Sequence, residues 1–192
     1  MIQRIDHVSL AVTDYEKARN FFINILGAVP GASARDDSMK YIWQIFSIGD
    51  LTRFELLTPT GKGSFLDNFL SSKDGGVHHI TFQTSDIRKS KLFLEQNGIP
   101  YFGYIEYGDA WKELFIHPRD AFGVLIQIAE FRPDDWLPET VRLTGKKRWN
   151  ICGKENETTL SFAHPGGGTV SFHLSREEAQ ELAAELDAAS QG

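Results

Sequence analysis

The sequence predicts an α+β fold: two paired β-α-β-β-β modules forming an open cleft, followed by a C-terminal β-hairpin and helix. Three observations predict it. Stretches of period-2 apolar alternation are interrupted by stretches of helical spacing. Landmarks recur at an almost constant offset: His7 and His79, Asp14 and Asp86, and Glu55 and Gln127 are each 72 residues apart, and Gly27 and Gly98 are 71 apart. A strand, a helix cap, a helix stop and a last strand thus appear twice in the same order, as a duplicated unit requires. After residue 131 the repeat stops. The expected organisation is a first module over 1–60, a connector over 61–75, a second module over 76–131 and an extension over 132–192.

In the first module, Ile5 to Val12 reads as a strand with Val8, Leu10 and Val12 on one face and His7, Ser9 and Ala11 on the other. Thr13-Asp14 offers a helix N-cap. Ala18, Phe21, Phe22, Ile25 and Leu26 follow at helical spacing, and Gly27 ends the helix. Residues 31–40 read as a loop. Tyr41 to Ile48 and Leu51 to Leu57 read as strands joined at Gly49-Asp50. The connector carries a short amphipathic turn at Phe65-Leu66 and Phe69-Leu70.

The second module repeats this order. Val77 to Thr84 is the first strand, Ser85-Asp86 caps a helix from Ile87 to Gln96, and Asn97-Gly98 stops it. Strands follow around Tyr101 to Tyr107, Lys112 to His117 and Val124 to Ala129. In the extension, Thr158 to Ala163 and Thr169 to Leu174 read as a hairpin around Pro165-Gly166-Gly167-Gly168. Ser175-Arg176-Glu177-Glu178 is a capping-box pattern that opens a helix through Ala188. Its apolar stripe of Ala179, Leu182, Ala183 and Leu186 is ordinary packing surface.

Composition narrows the partners. A net charge of −6 argues against nucleic acid. The single cysteine, Cys152, excludes an internal disulfide framework and fits a reducing compartment. No window approaches the roughly 18 apolar residues of a membrane span. A cytoplasmic protein with no membrane partner is expected.

Period-2 alternation also sorts the polar residues. The neighbours of His7 are apolar (Val8, Leu10), as are those of Glu55 (Phe54, Leu56), His79 (Ile80, Phe82) and Gln127 (Ile126, Ile128). Those neighbours turn toward the helices, so His7, Glu55, His79 and Gln127 turn toward the concave face. Strand parity with His7 selects His79 over His78. Two imidazoles, a carboxylate and an amide suit one divalent ion of the Zn, Co, Ni, Fe or Mn kind, with positions left open for water or substrate. Each residue also has a plainer role: a structural strand histidine, a solvated carboxylate at Glu55, a substrate hydrogen bond from Gln127. His117, before Pro118-Arg119-Asp120, reads as a structural turn residue. Lys146-Lys147-Arg148 could meet phosphates or form a solvated face.

Four stretches carry a family resemblance: Ile5-Asp6-His7-Val8; Phe54 to Pro59; Gly75-Gly76-Val77-His78-His79-Ile80; and Phe115 to Asp120 continuing through Gly123 to Gln127. Over residues 1–131 the chain resembles the vicinal-oxygen-chelate superfamily, which holds glyoxalase I, extradiol dioxygenases, bleomycin-resistance proteins and methylmalonyl-CoA epimerase. It looks most like the epimerase. The resemblance implies a glyoxalase-like fold and metal positions at His7, Glu55, His79 and Gln127. It implies a metal-dependent isomerase that abstracts a proton beside a carbonyl, with a small-molecule substrate such as an acyl-CoA thioester. The sister families imply a glyoxalase I-like lyase, a non-haem iron dioxygenase or a non-catalytic ligand-binding protein as alternatives.

One departure from the epimerases matters. They carry a glutamate where this chain has Gln127, and an amide can hold a metal but cannot act as a general base. Glu55, its repeat partner, is therefore the expected catalytic group. Gln44, Glu106 and Glu113 are candidates for a second proton-transfer group by strand position. The 31–40 loop is expected to close over the substrate. The extension, absent from compact epimerases, would cover a sheet edge, make a homodimer contact or shape the cleft mouth.

Overall fold

In the computed structural model, which describes residues 2–49, 52–136, 149–154, 157–163 and 169–191, both modules contribute to one eight-stranded sheet. The first module supplies β1 (Ile2–Val12), β2 (Val29–Asp36), β3 (Tyr41–Ile48) and β4 (Thr52–Pro59). The second supplies β5 (Gly75–Thr84), β6 (Phe102–Tyr107), β7 (Trp111–Ile116) and β8 (Ile126–Glu130). The spatial order is β2-β3-β4-β1-β5-β8-β7-β6. The two first strands pair antiparallel at the centre, and each has the last strand of its own module parallel beside it. A pseudo-twofold axis therefore passes between β1 and β5.

The helices of the two modules cover one face of this sheet, and the connector helix lies on the other. Helix α1 (Tyr15–Asn20), capped by the Asp14 side chain, widens into a π-turn at Phe21–Ile25 and stops at Gly27, whose φ of +73° suits glycine. Phe22 and Ala18 pack on Phe46, Phe54 and Leu56. Helix α3 (Ile87–Gln96), capped by Asp86, packs Ile87 and Leu94 on Leu114, Ile116 and Ile128. On the opposite face, that of His7 and Glu55, helix α2 (Asp67–Leu70) of the connector follows Leu66, which is fully buried against Ala11 and Leu57. The apolar neighbours of the site residues thus form the two cores, and burial of each large side chain stabilises by about 1.5–3 kcal/mol.

Residues 31–40 are not a loop. Most of them lie in β2, paired from Val29↔Ser47 to Asp36↔Tyr41, and only a tight turn follows. An edge strand needs one row of backbone partners and no wholly apolar face, so its Gly-Ala-Ser composition hides it. A register shift between Pro30 and Ser33 accommodates the Pro-Gly pair. This pairing removes the expected mobile cover.

The extension forms a second, three-stranded sheet of β9 (Trp149–Lys154), β10 (Glu157–Ala163) and β11 (Thr169–Ser175), followed by α4 (Arg176–Ser190). Strand β9 was not expected; β10, β11 and both halves of the Ser175–Glu178 capping box were. The Pro165–Gly168 turn, Asp50 and Leu51, and Lys146-Lys147-Arg148 lie outside the described residues. No helix among the described residues is long and apolar enough to cross a membrane.

Candidate metal centre

The central strand pair builds the site. Ser9 stands opposite His79 across β1 and β5, and His7 stands opposite Thr81. Ser9 also stands beside Glu55 on β4, and Thr81 beside Gln127 on β8. Register alone gathers His7, Ser9, Glu55, His79, Thr81 and Gln127 on one face. The Nε2 atoms of His7 and His79 lie 3.8 and 3.9 Å from Glu55 Oε2, and ligand atoms of the three residues all fall within 4.8 Å of one another. Donors on one ion with bonds of about 2.1 Å stand roughly 3–4.2 Å apart, so contraction by a few tenths of an ångström fits this set to a cation. Nitrogen and carboxylate donors on one side of a cleft suit a first-row divalent metal.

Gln127 lies one hydroxyl away. Its Oε1 accepts from Thr81 Oγ1 at 2.5 Å, and that hydroxyl also contacts His7 Nε2 at 2.9 Å. Ser9 mirrors this arrangement. Its Oγ donates to Glu55 Oε2 at 2.6 Å and contacts His79 Nε2 at 2.9 Å. Each hydroxyl ties the last-strand group of its own module to the histidine of the other. Alternation placed Ser9 with His7 and Thr81 with His79, but it assigned neither hydroxyl a role, although they share the offset that pairs the histidines.

Two further groups orient the imidazoles. Asp6, buried, accepts from His7 Nδ1 at 2.7 Å and from the guanidinium groups of Arg4 and Arg53. That bond leaves His7 Nε2 aimed into the site. Burial opposes the Asp6 charge, but His7, Arg53 and Arg4 outweigh it and hold its pKa down to about 2. His79 Nδ1 meets His78 Nδ1 at 2.9 Å, while His78 packs between Phe65 and Phe69. Burial, then the neighbouring His7 and His78, push the His79 pKa well down, so its ring is neutral and free to ligate.

Of the three candidates for a second proton-transfer group, only Glu113 reaches the cleft. It stands on the same face as Gln127 and accepts from Gln127 Nε2 at 2.6 Å and from Trp111 Nε1 at 2.7 Å. Gln44 faces the helices and accepts from the Tyr15 hydroxyl. Glu106 also faces away and pairs with Arg88 and Tyr104. Burial raises the pKa of both Glu55 and Glu113, and Glu113 adds to the rise at Glu55. Two carboxyl groups on β4 and β7 thus flank the centre, each biased toward holding a proton more readily than an exposed glutamate. His117 caps a 3-10 turn by accepting from Arg119 N and takes no part.

The pattern of the Glyoxalase/Bleomycin resistance protein/Dioxygenase superfamily matches residues 6–115. Ethylmalonyl-CoA/methylmalonyl-CoA epimerase of Cereibacter sphaeroides is 37% identical over 134 residues, covering 68% of this chain and 99% of that protein. Mitochondrial methylmalonyl-CoA epimerase of Homo sapiens is 33% identical over 130 residues, covering 66% of this chain and 73% of that protein. The crystal structure of methylmalonyl-CoA epimerase from Mycobacterium tuberculosis superposes with a TM-score of 0.62 at 26% identity, over 69% of this chain and 90% of that one.

Proposed function

Because the chain belongs to the glyoxalase/bleomycin resistance protein/dioxygenase superfamily, we propose that it is a metal-dependent epimerase that removes and returns a proton beside the carbonyl of an acyl-CoA thioester. The observation that carries this reading is the convergence of His7, Glu55 and His79 at one point, with Glu113 across the cleft. His7, Glu55 and His79 would hold a divalent ion of the Co, Mn, Ni, Zn or Fe kind, with Gln127 Oε1 as fourth donor. Bound there, the ion would supply Lewis acidity toward the carbonyl. Inverting a carbon by proton transfer needs a proton acceptor on one side and a donor on the other. Glu55 and Glu113 occupy opposite flanks, which suits that exchange, and burial of Glu113 favours its proton-holding form. Glu55 is the expected catalytic group, and Gln127, which cannot ionise, holds Glu113 through its amide.

The test combines elemental analysis of the purified protein with α-proton exchange of methylmalonyl-CoA in D₂O. Bound metal near one equivalent and exchange abolished by Glu55→Gln are expected. Exchange at the wild-type rate in Glu55→Gln would overturn the assignment of the base.

One observation favours a second reading. Two histidines and one carboxylate are also the donor set of non-haem iron oxygenases. Oxygen uptake by the iron-loaded protein with a catechol, without α-proton exchange, would replace the epimerase.

A further inference from the structure

Three tryptophans meet at the cleft. Trp43 on β3 shares the cleft face with Ile45, which stands opposite Glu55. Trp111 on β7 shares it with Glu113, to which its indole donates. Trp136 comes from the 3-10 turn Pro133–Trp136, beyond the second module and beyond the span of the superfamily pattern. Its ring centroid lies 5.5 Å from that of Trp43 and 5.3 Å from that of Trp111. One side chain therefore bridges the two halves of the half-barrel, and the ring contacts leave no slot between them for another ring. A tryptophan used only for packing usually pairs its indole N–H. Trp136 Nε1 is buried and has no hydrogen-bond partner among the described residues. Leaving such a donor unpaired is unfavourable, and an acceptor on a ligand would recover that loss.

We infer that Trp136 sets specificity: its ring roofs the cleft and limits the size of the substituent on the reacting carbon, and its indole N–H is held for an oxygen of the bound thioester. This rests on the reading of the protein as an acyl-thioester epimerase. The roof stands next to Glu113 through Trp111, so a substituent directed at that flank meets the aromatic wall. A methyl or ethyl group should be admitted beneath it and a benzyl group excluded.

The test uses the full-length, metal-loaded protein and α-proton exchange of methylmalonyl-CoA and benzylmalonyl-CoA. Trp136→Ala should raise the benzylmalonyl-to-methylmalonyl ratio of kcat/KM at least tenfold. Trp136→Phe, which keeps a ring but no donor, should leave that ratio within about threefold of wild type. It should raise KM for methylmalonyl-CoA about tenfold with kcat little changed. An unchanged ratio in Trp136→Ala overturns the roof, and an unchanged KM in Trp136→Phe overturns the donor. Should Trp136→Ala not fold, Trp136→Val takes its place. If wild type exchanges neither thioester, the epimerase reading fails and the specificity role with it. The roof is then read separately by acrylamide quenching of tryptophan emission: at least doubled in Trp136→Ala relative to Trp136→Phe if it exists, equal in both if it does not.

Discussion

Replacing Asp6 with asparagine removes the one negative charge shared by His7, Arg4 and Arg53 behind the candidate metal centre. Asp6 is 4% exposed, so solvent screens these interactions little. Its pKa falls from 3.8 to about 2 on folding. At 1.36 kcal/mol per unit this corresponds to about 2 kcal/mol of stability. The folded-state pKa is the lower one, so the contribution is complete above the unfolded value of 3.8 and is lost as pH falls toward 2. It should shrink by roughly a quarter at pH 3.5 and by roughly two thirds at pH 2.5. Asp6→Asn also takes the carboxylate from the buried Arg53 guanidinium, which places the total cost at neutral pH at about 2–4 kcal/mol. Urea denaturation of the metal-free proteins between pH 7 and 2.5 measures the gap between wild type and variant. A gap below about 1 kcal/mol at pH 7, or one that does not narrow in acid, would refute the reasoning.

Three other outcomes are expected. Glu113→Gln should slow α-proton exchange by about 100-fold or more while Co²⁺ affinity, measured by chelator competition, stays within about threefold; a large loss of affinity instead would make Glu113 a metal-site residue. Because inversion needs one carboxyl ionised and the other protonated, the pH–rate profile should be bell-shaped; burial raises the pKa of Glu113, so the falling limb should have its midpoint above the ordinary glutamate value of about 4.3, and a rate that only rises with pH contradicts the two-carboxyl role. Leu66→Ala, at a fully buried connector position, should destabilise by about 2–5 kcal/mol in the same urea assay; a loss below about 1 kcal/mol would mean that the connector does not hold the sheet face.

The strands and helices of the duplicated part were legible because their apolar residues follow the period of the element they occupy. His79 could be chosen over His78 by parity alone. Strand β2 was not legible: edge pairing depends on backbone groups of β3 and leaves no apolar signature. Among Gln44, Glu106 and Glu113, one-strand logic could not decide, because a shift of one residue turns a side chain to the opposite face. The register of β7 against β8 settled it, setting Glu113 beside Ala129 and within reach of Gln127. The repeat gave no help there, since the position 72 residues earlier is Tyr41.

Local periodicity and the spacing of the repeat determined that His7, Glu55, His79 and Gln127 share a face, because alternation is a property of each strand taken separately. How far apart their donor atoms lie is a property of strand pairing. Only the meeting of β1 with β5 brought the two imidazoles to one carboxylate, placed Ser9 and Thr81 between them, and set Asp6 and His78 behind them. The position of Trp136 belongs wholly to tertiary structure. Curling of the sheet brings Trp43 and Trp111 close enough for one ring to touch both, and no pattern along the chain encodes that distance.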